Sequence, residues 1–79
     1  MQKILERITF NPQIMGGRAC LRGMRITVSL VLSLIANGLT PMEILEEYPD
    51  LELEDIKSSL LYAAFLVNEE VRSFAGMSA

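Results

Sequence analysis

The chain has 79 residues with hydrophobic types at 51%, a net charge of −3, one cysteine and no histidine. One cysteine closes no internal disulfide, and the longest apolar run, "VLSLIA", is far short of the roughly 20 residues that span a bilayer. These features exclude a disulfide-stapled scaffold and predict one small cytoplasmic domain without a membrane partner, with too much apolar surface for so short a chain to bury alone, so that a homodimer is expected.

The charge is unevenly spread. Up to Val28 the chain carries Lys3, Arg7, Arg18, Arg22 and Arg25 against Glu6, whereas beyond it only Lys57 and Arg72 face nine acids. A basic first third and an acidic remainder suggest two surfaces with different partners, or two protomers meeting basic face to acidic face; an ordinary solvated charge pattern is the plainer alternative. The opening "MQKILERITF" has neither an uninterrupted apolar core nor a small-residue cleavage site, so no signal peptide is expected there.

Residues 7–28 read as strands and turns. "RITF" alternates, "NP" breaks it, and "IMGG" supplies paired glycines for positive φ. "RACLR" and "RITV" flank Gly23-Met24 with the spacing of a type II′ turn, which predicts a hairpin of 18–22 with 25–28 and a third strand at 8–10. From Ser29 the period becomes helical through Leu30, Val31, Leu34 and Ile35, ending at Asn37-Gly38. "LTPMEI" then spells a capping box, with Thr40 as N-cap, Pro41 at N1 and Glu43 at N3, between the hydrophobic staple residues Leu39 and Ile44. "LELEDI" repeats that layout, although Glu52 is a poor N-cap. "YPDL" between them forces a turn.

A short helix at 41–47 and a long one from 53 to about 70, packed on the earlier helix, make a helix-turn-helix. The predicted fold is mainly α. It is a single domain comprising a β-hairpin arm at 7–28, a three-helix helix-turn-helix core at 29–70, homeodomain-like or winged-helix-like, and a tail at 71–79 that frays. Leu53, Ile56, Leu60, Ala63, Ala64 and Val67 stripe the long helix, and Leu61 with Phe65 widen the stripe into a surface for a dimer or partner.

The run from Ile8 to Ala64 resembles the bacterial domain-of-unknown-function family numbered 433. The resemblance rests on the Asn-Pro turn, "GRACLRGMRI", "GLTPMEI", the Tyr-Pro turn and the Asp-Ile helix start; Ala19 and Glu52 depart from the family's usual Pro and Thr. It implies a homeodomain-like or winged-helix-like fold. Some members are similar to VapB-type antitoxins, which silence a toxin of PIN-like nuclease fold and repress their own operon as DNA-bound dimers.

Enzymatic chemistry finds little support in the residues. Cys20 has no histidine to activate it, and it alternates on a strand with Arg18 and Arg22, a placement that a structural role explains more readily than catalysis. Gly16, Gly17 and Gly23 fit turns and match no phosphate loop. One cysteine and scattered acids make no metal site, so no cofactor, metal or small-molecule substrate is expected.

DNA is the open question. The first turn of the long helix presents Glu52, Glu54 and Asp55, which repel phosphate, with only Lys57 to attract it and polar Ser58, Ser59 and Tyr62 as further contacts. The hairpin arginines Arg18, Arg22 and Arg25 are the better candidates for a DNA or partner contact, against an alternative in which they are solvated or ion-paired within the fold. The expected function is an antitoxin-like binding protein paired with a PIN-like toxin. The alternatives are a stand-alone DNA-binding regulator and a structural dimerisation module.

Overall fold

The computed structural model describes the backbone of residues 5–78 and side chains as far as Asn68. Two short strands, β1 (Ile8–Phe10) and β2 (Ala19–Leu21), precede three helices: α1 (Val28–Ala36), α2 (Pro41–Glu47) and α3 (Leu53–Ser78). The fold is mainly helical, as expected. The strands pair antiparallel, with Ile8 opposite Leu21, Thr9 opposite Cys20 and Phe10 opposite Ala19.

This pairing corrects the predicted hairpin. Segment 8–10 is the main partner of β2, and segment 25–28 contributes a single bridge, Cys20 with Thr27. Two local facts decide it. Thr27 Oγ1 accepts the Leu30 N–H at 3.0 Å and so caps α1, which leaves no room for a strand before Val28. The reversal before it is centred on Arg22 and Gly23, at φ +48° and +73°, and closes through Met24 N–H to Leu21 O at 2.9 Å. Positive φ at both central residues is the signature of a type I′ turn, one residue earlier than predicted.

The chain between the strands folds back by turn chemistry. Asn11 Oδ1 accepts the Gln13 N–H at 2.8 Å, and Met15, Gly16 and Gly17 all take positive φ. The end of α1 and the start of α2 follow their sequences. Leu39 N–H reaches Leu34 O and Gly38 N–H reaches Ile35 O, a Schellman closure of α1 with Gly38 at φ +96°. The capping box of α2 is complete: Glu43 N–H donates to Thr40 Oγ1 at 3.2 Å and Thr40 N–H to Glu43 Oε1 at 2.8 Å.

The core draws on every part of the chain. Ile8, Leu21, Val28, Val31, Ile44, Leu51 and Ile56 are buried together. The strand pair is therefore part of the packed body and not a free arm, because Ile8 and Leu21 sit in the same cluster as the helices. The backbone of α3 runs to Ser78, well past the predicted end near 70. The expected frayed tail is thus helical from 71 to 78, in a stretch without proline to stop it, and Ala79 lies outside the described residues.

Candidate functional site: a buried carboxylate hub and an apolar groove

Four charged side chains from three parts of the chain converge at the start of α3. Asp55 is fully buried, and both its oxygens are used. Arg22 Nε donates to Oδ1 at 3.0 Å and to Oδ2 at 3.2 Å, and Arg22 Nη2 donates to Oδ2 at 2.7 Å and to Asp50 O at 2.8 Å. Arg7 Nη1 donates at 2.9 Å to both Asp55 Oδ1 and Glu52 Oε1. The Glu52 N–H donates to Asp55 Oδ2 at 2.8 Å. Asp55 therefore supplies, from the N3 position, the capping contact that Glu52 as N-cap does not make.

Burial pushes the Asp55 carboxyl up, but the Arg22 hydrogen bonds, the Glu52 N–H and the Arg7 hydrogen bond outweigh it and hold the group below the ordinary carboxylate range. The hydrogen bonds to Asp55 push the Arg22 guanidinium up. A carboxylate so fully engaged has no lone pair left for a proton transfer or a metal ion, so the cluster ties the hairpin to α3.

The second feature is an apolar groove of about 490 Å³ between the N-terminal end of α1, β2 and the middle of α3. Ala19, Val28, Leu32, Tyr62, Leu66 and Val67 line it, and Arg18, Thr27 and Ser29 supply its polar edge. Phe10 packs against Tyr62 at 6.0 Å between ring centroids, anchoring β1 to α3 beside the groove. A smaller depression of about 260 Å³ lies between Leu5, Leu61, Ala64, Phe65 and Asn68. Phe65 is 66% exposed and Leu66 55% exposed. The helix α3 thus presents large apolar side chains to solvent on more than one side.

A family model described as "Protein of unknown function (DUF433)" matches residues 8–63. The chain belongs to the DUF433 family. It is 36% identical over 58 residues to the uncharacterized protein y4eO of Sinorhizobium fredii (strain NBRC 101917 / NGR234), a match covering 73% of this chain and 26% of that protein. The chain thus spans about a quarter of that relative's length. A crystal structure of a DUF433 member protein from Anabaena variabilis ATCC 29413 superposes with a TM-score of 0.74 at 28% identity, covering 94% of this chain and 73% of that one.

The residues singled out in the sequence of this DUF433 chain go to different places. Arg18 and Arg25 are exposed, and neither has an ion pair among the described residues. Arg22 is committed to Asp55, so of the two readings left open for it the ion-paired one applies. Ser58 is fully buried and its Oγ donates to Glu54 O at 2.8 Å, which removes it as a surface contact; it faces the core because it lies one turn beyond Asp55 on the same side of α3. Lys57 is exposed on α3. Leu61 is half-buried and Phe65 exposed, both in the smaller depression. Cys20, in β2 opposite Thr9, is 2% exposed.

Sequence reading missed the Asp55 hub. Arg7, Arg22 and Asp55 are 33 and 48 positions apart in their pairings, and no local pattern joins them. Only the reversed capping box, Asp55 three residues after a poor N-cap, pointed to this carboxylate.

Proposed function

We propose that this DUF433 chain is a non-enzymatic, antitoxin-like binding module that takes a protein partner in its apolar groove, a toxin of PIN-like fold being the partner class the resemblance implies. The observation that carries the reading is the groove itself. Apolar side chains of α1, β2 and α3 form one concave surface with Arg18, which has no ion pair among the described residues, at its rim, the layout of an interface core with a charged edge. On this reading α1, α2 and α3 are a helix-turn-helix used as a scaffold, since the first turn of α3 is acidic and Ser58 is buried. DNA contact during repression of the operon falls to Arg18 and Arg25.

Co-expression with the product of the adjacent gene tests it. Co-purification is expected, and Leu66→Asp should abolish it while leaving the circular dichroism unchanged. A neighbour that never co-purifies, or a Leu66→Asp chain that still captures it, overturns the reading.

Arg18 and Arg25, without an ion pair among the described residues, also favour a second reading, a stand-alone DNA-binding regulator. It predicts salt-sensitive binding to its own promoter without any protein partner.

A further inference from the structure

The walls of the groove restrict the shape of what can fill it. The helix α1 packs against α3, and each lends one stripe: Val28 and Leu32 from α1, Tyr62 and Leu66 from α3, each pair one helical turn apart. Ala19 and Ala63 complete the apolar lining, and side chains this small leave the space between the stripes open. Two helical ridges with a gap between them are a surface onto which a third helix packs. An added strand has no such place here. One edge of β2 is held by β1, and the other by the Cys20–Thr27 bridge and by Leu21 N–H to Ile26 O at 3.0 Å.

The charge around the groove restricts its occupant further. The chain carries ten acids against seven bases, yet no residue that lines the groove is acidic. Arg18 is exposed at the polar edge and has no ion pair among the described residues. Thr27 and exposed Ser29 share that edge, and the first turn of α1 holds no acid to neutralise it. A positive rim beside an apolar trough complements a segment whose apolar side is bordered by a carboxylate.

Building on the partner-binding reading, we propose that the occupant of the groove is an amphipathic helix of a partner protein. Apolar side chains at its i and i+4 positions lie between α1 and α3, and an Asp or Glu beside them pairs with Arg18. Arg18 so paired is withdrawn from any DNA contact, which then rests on Arg25.

Selection from a displayed library of helical peptides, with the full chain as bait, is the test. Enriched peptides should share apolar residues at i and i+4 with an Asp or Glu close by, and Leu66→Asp should abolish their binding. Arg18→Glu should weaken a selected peptide about tenfold, less so at high salt, and exchanging the peptide's acid for lysine should restore it. Circular dichroism checks that both variants are folded. No enrichment, enriched peptides without an acid, or a selected peptide indifferent to Arg18→Glu overturns the proposal. A neighbour lost with Leu66→Asp but still captured by Arg18→Glu would overturn the acidic helix and leave the partner-binding reading in place. Acidic helical peptides selected where no neighbour co-purifies would support the occupant's chemistry and overturn only that neighbour as its source.

Discussion

Asp55 shows how one residue can hold a small fold together. A buried carboxylate costs several kcal/mol to strip of water, and here that cost is offset by two guanidinium groups and a backbone N–H. Truncating Arg22 leaves the charge inside with too few partners. Arg22→Ala is expected to destabilise the chain by about 2–4 kcal/mol in urea unfolding, at or below the usual range for a broken buried pair because the Arg22 side chain is 35% exposed to water.

The sign of the pH effect follows from the lowered Asp55 value. A carboxyl held below its unfolded value contributes stability that is fully present above about pH 4 and is lost as the pH falls through its folded value. Urea midpoints measured between neutral and strongly acidic pH should therefore fall in acid, and Asp55→Asn should be less stable at neutrality and flatten that slope. Gly23 carries a different kind of constraint. Its φ of +73° suits glycine and a Cβ there would touch nothing, so Gly23→Ala is expected to cost about 1 kcal/mol through backbone strain alone, read as a shift in thermal midpoint.

At the scale of elements, caps decide where helices start. The seven-residue α2 is too short to persist in water by itself, so its box of Thr40 and Glu43 and its packing through Ile44 sustain it together. Thr40→Ala should cost about 1 kcal/mol in chemical unfolding, with Thr40→Ser nearly neutral. Local chemistry of this kind is readable in sequence. The Schellman end at Gly38, the box at Thr40 and the Asx turn at Asn11 all lie where their residues predict, because each needs only neighbours within a few positions. The hairpin departs from its sequence expectation for a related reason. Thr27 satisfies both a strand pattern and an N-cap, and periodicity alone does not choose between them; capping the Leu30 N–H does.

At the scale of the molecule, a core of seven aliphatic side chains leaves much apolar surface on α3 uncovered. The basic character of the N-terminal third is also partly spent inside, since Arg7 and Arg22 face Asp55 and only Arg18 and Arg25 remain for an outside partner among the described residues. If the chain binds its own promoter, Arg18→Ala with Arg25→Ala should weaken binding and shallow the salt dependence in a gel-shift titration. Arg22→Ala should act there through stability alone.

The sequence by itself determined the mainly helical class, the three helices, the glycine end of α1, the capping box of α2 and the apolar excess on the last helix. Each follows from residue type and short-range spacing. Only the tertiary structure decided which strand pairs with β2, which arginines are free and which side of α3 is bare. Those outcomes hang on contacts such as Arg22 with Asp55, 33 residues apart, where burial makes an unpaired charge too costly and the fold chooses its partner.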